Sequence, residues 1–360
     1  MTGSAQDTDK EAPGKLRVQA FSPGDDERRR WDSFVEDAGG SFCHLSAWAP
    51  LLAQVMGAEP VYRVALNDRE EWEGVLPLFR VKSRLFGHYL VSMPFLNYGG
   101  PLGTQDARQA LAAEAVREAR DSGADLLELR CREGMQDPPV GLRGSDRKIT
   151  VLLDLPDDPE VLFKDTFRSK LRSQIRRPMK EGMEARFGAD HVEAFLQVFQ
   201  RNMRDMGTPV LPAEMFRRLP EAFGQRVTFG VVYSDETPVA AGCGFTMGDE
   251  FEMTWASSLA EYNRQAPNML LYWGFMERSI EQGLATFNFG RCTPGGGTHR
   301  FKSQWESRDV PLPWLQWSAE ELDATPSPES GKFDLAIRIW QKLPLPVANT
   351  LGPVISRKIP

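Results

Sequence analysis

The sequence predicts an α/β protein with mixed sheets, built from two similar units. The same order of elements occurs twice: a β-hairpin, a helix stopped by glycine, and a strand closing in Arg-Cys, offset by roughly 160 residues. A chain of 360 residues also exceeds what one small core organises. Its composition, 41% hydrophobic and 26% charged, is that of a globular protein rather than a disordered or membrane-spanning one.

In order, residues 1–14 are polar and predict a disordered lead, not a secretory signal. Leu16 to Ala20 is a strand; Asp25 to Glu36 and Ser46 to Met56 are helices. Val61 to Leu66, the turn Asn67-Asp68-Arg69-Glu70 and Trp72 to Val81 form a hairpin. Ser92 to Pro101 is an apolar segment closing in turn residues. Ala107 to Arg120 is a helix ended by Gly123, and Asp125 to Cys131 a strand. In the second half, Ile149 to Leu155 is a strand and Pro159 to Lys180 one helix. Val227 to Tyr233, Val239 to Thr246 and Phe251 to Ser257 are strands, Asn268 to Gln282 a helix before Gly283, and Ala285 to Phe289 a final strand. The units are thus set at 15–150 and 151–318. Residues 319–360 are a linker (Ala324 to Lys332) and an amphipathic helix with Phe333, Ile337 and Trp340 on one stripe. That tail, poor in basic residues on its polar face, is expected to pack back on the first unit rather than on a membrane.

The net charge of -7 argues against a general polyanion binder. Cys43, Cys131, Cys243 and Cys292 form no CxxC pair and have no histidine at ligand spacing. No metal site or disulfide framework is expected, and reduced thiols in a cytoplasmic protein are the default. No run approaches the roughly 20 apolar residues of a membrane span.

Chemistry concentrates in Phe287 to Trp305, where an apolar run ends in Asn288-Phe289-Gly290-Arg291, a glycine-dense loop follows, and Lys302 stands between Phe301 and Trp305. Such loops let backbone approach an anionic ligand closely. Lys302 is the candidate for stabilising phosphate and oxyanion charge. Asn288 and Arg291 sit at a strand end, a frequent site position in open α/β sheets. Asn97 and Tyr98, before Gly99-Gly100, are placed to contact an acceptor or to shape a turn. Trp255 and Tyr262 either line a groove or fill core. The four histidines are isolated, and no general base is assigned.

A local anomaly for an acidic protein is the basic face of the 159–180 segment. Arg168, Arg172 and Arg176 follow i, i+4, i+8 spacing beside Lys170, with Phe163, Phe167, Leu171 and Ile175 as the docking stripe. Guanidiniums bind phosphate oxygens in pairs, so a nucleotide diphosphate, an RNA backbone or an anionic lipid surface fits.

With these units, the segments MPFLNYGGP, FRSKLRSQIRRPMKEG and FNFGRCTPGGGTHRFKSQW resemble the FemAB family, and more narrowly Fem-like proteins found with exosortase and exopolysaccharide loci that carry a BioF2-like acetyltransferase domain. The resemblance runs from about Leu16 onward. It implies two tandem GNAT-like acyltransferase domains and transfer of an acyl or aminoacyl group to an amine on a peptidoglycan or exopolysaccharide precursor. It places Lys302 near the precursor's diphosphate, Arg168, Lys170 and Arg172 near phosphate or RNA, and Leu259 to Pro267 where GNAT enzymes bind acetyl-CoA. There the sequence departs from the glycine-bearing pattern: Tyr262 to Asn268 has no glycine, leaving Arg264 to meet a phosphate. No tightly bound cofactor is implied; the donor is aminoacyl-tRNA or acyl-CoA. The implied partners are a phosphorylated envelope precursor, charged tRNA and a peripheral contact with the inner membrane surface. A non-catalytic binder of a diphosphate-linked glycan or lipid, or an RNA-binding module, is the alternative.

Overall fold

Seventeen strands and eleven helices carry the chain in a computed structural model, which describes residues 16–21, 24–83, 87–145, 147–319 and 334–359. The expected lead at 1–14 and the linker at 324–332 lie outside the described residues. The first unit runs β1 (Arg17–Ala20), α1 (Asp25–Asp37), α2 (Trp48–Met56), β2 (Glu59–Pro60), β3 (Arg63–Leu66), β4 (Trp72–Leu76), β5 (Leu78–Ser83), β6 (Gly87–Ser92), β7 (Leu102–Gly103), α3 (Gln105–Asp121), β8 (Leu126–Leu129) and β9 (Arg143–Ser145). The strand expected over 72–81 breaks at Pro77, which has no N–H to give a ladder. Thr104 caps α3 by accepting from the Ala107 amide.

β10 (Ile149–Asp154) closes the first repeat in sequence, and the second unit runs α4 (Pro159–Val161), α5 (Ser169–Lys180), β11 (Glu184–Phe187), α6 (Val192–Met206), α7 (Ala213–Phe223), β12 (Val227–Ser234), β13 (Thr237–Met247), β14 (Glu250–Ser258), α8 (Pro267–Glu281), β15 (Thr286–Cys292), α9 (Gly297–Ser303) and β16 (Arg308–Pro311). β17 (Trp314–Ser318) and the tail helices α10 (Asp334–Gln341) and α11 (Leu345–Ser356) complete the chain. The helix expected over 159–180 is interrupted: a π turn over Leu162–Thr166 ends at Phe167, whose backbone is extended, and α5 starts afresh after Arg168.

The sheets have orders β1-β3-β4-β7, β2-β5-β6-β8-β17-β9 and β11-β12-β13-β14-β15-β10-β16. Each unit has one parallel pair, β6 with β8 and β14 with β15. The antiparallel strand beside each pair comes from elsewhere: β10 follows the first unit yet lies on β15, and β17 follows the second yet lies on β8. The two units therefore exchange equivalent strands. The boundary set at 318 is corrected by this pairing, since residues 314–318 belong to the first unit's sheet.

Three cores follow. One packs α3 on the first sheet through Leu111, Ala115 and Leu127; another packs α5 and α8 on the second through Ile175, Phe275 and Phe287. The third joins the units: Phe42 stacks on Phe245 at 4.2 Å, and Trp48 meets Phe223 at 4.6 Å. An apolar interface of this kind holds the units as one body. The tail departs from expectation. Ile337 sits against Gly207, Ser356 Oγ donates to the Val210 carbonyl, and Asn349 donates to Gln200, so α10 and α11 dock on α6 of the second unit. Arg357 also reaches the first unit, donating to the Val55 carbonyl. Of the stripe expected from sequence, Phe333 lies outside the described residues, Trp340 is half-buried, and Ile337 meets Gly207 at the end of α6.

Candidate active site at the junction of the two units

β14 and β15 stay paired for only three positions, Glu250 with Thr286 through Glu252 with Asn288, and then diverge. Gly290, at φ 74°, turns β15 away; a Cβ there would lie 2.7 Å from the Met253 carbonyl. Into the opening comes the segment after β6 of the first unit. Met93 and Phe95 in that segment hold left-handed backbones, φ 55° and 70°, unusual for side chains of their size. Arg130 fixes the turn by donating to the carbonyls of Met93 (3.1 Å) and Leu96 (2.9 Å), while its Nε is held by Glu128 at 2.8 Å.

The turn delivers Asn97 and Tyr98 to a buried polar network. Asn97 Nδ2 donates to Glu252 Oε1 at 2.6 Å. Tyr98 donates to Thr150 Oγ1 at 2.7 Å, Thr150 donates to Asn288 Oδ1 at 2.7 Å, and Asn288 Nδ2 donates to Tyr98 at 3.1 Å and Glu250 at 3.0 Å. Asn288 Oδ1 also accepts from the Gly290 amide at 2.8 Å. Arg132 pairs with Glu250 and lies 5.5 Å over the Tyr98 ring. Nearly every polar atom is matched, as burial demands.

Lys302 is buried at 4% exposure. Its ammonium donates to the carbonyls of Gly290 (2.7 Å) and Arg291 (3.1 Å). Burial lowers its pKa from 10.5 to about 8, against the favourable fields of Cys292 and Glu252. Burial, reinforced by Glu250, raises Glu252 from 4.5 to about 8. Burial, then Arg130, lowers Arg291 from 12.5 to about 10. The guanidiniums of Arg130 and Arg291, the repeated Arg-Cys positions of the two units, both stack on Trp314 of the exchanged strand β17, at 5.0 and 4.8 Å.

Outside this network opens a cleft of about 310 Å³ lined by Lys148, Arg291, Cys292, Thr293, Gly296, Gly297 and Thr298. Lys148 Nζ donates to Thr293 Oγ1 at 2.7 Å. His299 shapes the loop: Nδ1 accepts from the Gly295 amide at 2.9 Å, and Nε2 meets Asp309 at 2.8 Å. Two cations and a glycine-dense rim suit an anion.

Residues 166–303 match the acetyltransferase (GNAT) domain family. No curated protein matches the chain. Among solved structures, FemX is 13% identical with a TM-score of 0.62, covering 84% of this chain and 97% of its own. The L-PGS of Bacillus licheniformis is 15% identical with a TM-score of 0.55, covering 92% and 96%. A tandem GNAT protein from the clavulanic acid biosynthesis pathway is 13% identical with a TM-score of 0.52, covering 86% and 100%. The fold is two GNAT units in tandem.

Of the residues singled out from sequence, Tyr98 of the first GNAT-like unit accepts from Asn288 of the second, Asn97 donates to Glu252 beside it, and Lys302 holds the carbonyls of Gly290 and Arg291. Lys302 does not line the cleft; it supports the strand end that carries Arg291. The others lie apart. Trp255 packs edge-on to Phe216 at 5.1 Å, in the core between the units, and Tyr262 is partly buried against two cores. Arg264 is exposed, and its carbonyl accepts from Arg177. Arg168, an exposed N-cap, pairs with Glu306; Arg172 bonds the carbonyls of Lys164 and Phe167; Arg176 lies over Phe163. Lys170 is exposed. Because the helix breaks at Phe167, Arg168 is not on a continuous face with Arg172 and Arg176. Thr150, Glu250, Glu252, Arg132 and Lys148 were not picked out from sequence. The one signal was Glu250-Phe251-Glu252, two carboxylates on the same face of a strand that is otherwise core.

Proposed function

We propose that this tandem GNAT protein transfers an acyl or aminoacyl group to an amine on a phosphorylated cell-envelope precursor. The observation that carries the reading is the cleft of Lys148, Arg291 and the Thr293–Thr298 loop, set directly on the polar seam between the units. Arg291 and Lys148 hold the acceptor's phosphate. Lys302 acts as a positioning residue, fixing the Gly290 and Arg291 carbonyls and adding positive field at the strand end. In the reaction the amine nitrogen attacks the donor carbonyl. A C–N bond forms, the ester or thioester bond breaks, and the proton leaves with the departing alcohol or thiol. The motifs shared with Fem-like proteins favour an aminoacyl-tRNA donor; acyl-CoA is the other donor to test.

The experiment is transfer to amine-bearing envelope precursors with charged tRNA and with acyl-CoA. Arg291→Ala is expected to raise the acceptor KM about tenfold or more, and Lys302→Met to lower kcat about 10²–10³-fold. Absence of turnover with every donor, together with unchanged precursor binding in both variants, refutes the reading. One observation favours a second: the Lys302 ammonium is directed at carbonyls rather than into the cleft, as suits a binder of diphosphate-linked glycan or lipid without turnover. Precursor binding that Arg291→Ala weakens, without turnover, selects it.

A further inference from the structure

The tail helices have two faces, and only one is used. The inner face is hydrogen-bonded to the second unit: Arg204 donates to the Leu343 carbonyl, Gln341 to the Asp205 carbonyl and Ser356 to the Val210 carbonyl. The outer face is apolar. Leu335 is 71% exposed and Ile339 57%, one turn apart on α10. On α11, Val347, Leu351 and Val354 are exposed at i, i+4 and i+7, and Ile359 follows. Met206, exposed at the end of α6, adjoins α10 through the Asp205 contact. More than half of the large apolar side chains exposed among the described residues lie in this short segment.

Charge sets the tail apart as well. α10 opens on the exposed Asp334; beyond it, to Pro360, the chain carries Arg338, Lys342, Arg357 and Lys358 and no further Asp or Glu, in a protein of net charge -7. Arg338 and Lys342 are exposed on the same side as Leu335 and Ile339, and Lys358 is exposed one turn beyond Val354. Arg357 is committed to Val55. An apolar stripe edged by lysine and arginine, with its opposite side anchored to the fold, has the composition of a helix lying in the headgroup layer of an anionic bilayer. A protein partner of acidic surface would match the charge but not this aliphatic, aromatic-free stripe, which lacks the anchors of protein interfaces.

We propose that the outer face of α10 and α11 is a docking surface for an anionic lipid bilayer, held by Leu335, Ile339, Leu351 and Val354 with Arg338, Lys342 and Lys358 at the headgroups. The inference stands apart from the transfer reaction and from the cleft. Helices of this size lie along the surface; among the described residues no helix is long and apolar enough to cross it.

The test is co-flotation of the full chain with phosphatidylcholine vesicles, with and without about one third phosphatidylglycerol. Binding is expected only to the anionic vesicles and is expected to weaken with salt. Lys342→Gln with Lys358→Gln is expected to lower partitioning roughly 25-fold, about fivefold per charge near the surface. Leu351→Asp with Val354→Asp is expected to lower it at least tenfold. Because all four side chains face solvent, melting temperature and precursor binding should be unchanged in both variants. No flotation with anionic vesicles, or flotation that both double variants retain, overturns the proposal. So does self-association in analytical ultracentrifugation that Leu351→Asp/Val354→Asp abolishes while lipid binding persists, since the face then belongs to a second copy.

Discussion

Glu252 makes the polar seam a source of pH-dependent stability whose sign is fixed by its surroundings. Its carboxyl is buried, faces the field of Glu250, and is raised from 4.5 to about 8. Between those values the native chain keeps a proton that the unfolded chain releases, so stability falls as pH rises, by up to about 1.4 kcal/mol per pH unit. Lys302 acts in the opposite direction. Lowered from 10.5 to about 8, it has released its proton in the native state while the unfolded chain still holds one, so stability recovers between those values. Together they set a minimum near pH 8. Glu252→Gln keeps the acceptor for Asn97 and removes the titration. The assay is urea denaturation of wild type and variant at fixed ionic strength, taking the difference at each pH so that other groups cancel. From about pH 5.5 to 7.5 the variant should gain about 2–3 kcal/mol relative to wild type. A difference that stays constant over this range would falsify the assignment of a protonated carboxyl at the seam.

Asn288→Ala leaves the Thr150 hydroxyl and the Gly290 amide without their acceptor and takes one donor from Tyr98, in a site without exposure. We expect a loss of about 3–5 kcal/mol in denaturant unfolding; a loss below about 1 kcal/mol counts against a closed network. Gly290→Ala forces a positive φ on a side chain and drives Cβ to 2.7 Å from the Met253 carbonyl. The expected cost is at least about 2 kcal/mol with weakened precursor binding, read by denaturation and calorimetry. Arg168→Ala removes an exposed ion pair and should change stability by less than about 1 kcal/mol, whereas Arg172→Ala, which frees the carbonyls of Lys164 and Phe167 at the π turn, should cost about 1–2 kcal/mol. Salt-sensitive tRNA binding lost in Arg168→Ala would revive the RNA-binding alternative.

The repeat of hairpin, helix and strand was legible because its signals are local: alternation, glycine stops and turn residues. Five residues that the fold brings to the junction of the units were legible for the same reason. Asn97, Tyr98, Asn288, Arg291 and Lys302 flank Gly99-Gly100, Gly290 and the Gly295–Gly297 loop, where apolar periodicity gives way. Thr150, Glu250 and Glu252 were not, because each looks like an ordinary strand residue until the other unit brings its partners. The strand exchange was invisible for a related reason. Ile149–Asp154 and Trp314–Ser318 are apolar runs, and periodicity does not say which sheet an apolar strand will join. α6 and α7, in a stretch without predicted elements, are held by tertiary packing of Phe195, Phe199 and Phe216, and Pro220 inside α7 hides its helical pattern. Part of the basic face has a structural use that spacing does not reveal, because arginine is as useful to a helix start as to a ligand: Arg172 caps carbonyls and Arg176 covers a ring.

The exchange of β10 and β17 bears directly on how the site is held. Thr150, which bridges Tyr98 and Asn288, rides on β10; Trp314, on which Arg130 and Arg291 both stack, rides on β17. Each exchanged strand thus carries one residue that links the two units at the seam. The aromatic core of Phe42, Trp48, Phe223 and Phe245 lies behind it. Opening the units would break both sheets and that core together, so the geometry around Arg291 is set by folding rather than by closure on a ligand. The rim, Thr293 to Thr298, is held instead by hydrogen bonds of His299 and Lys148 and lacks the buried side chains that fix the floor. On the proposed reading, a cationic floor set by folding is what recognises the acceptor through its phosphate, before any donor is bound.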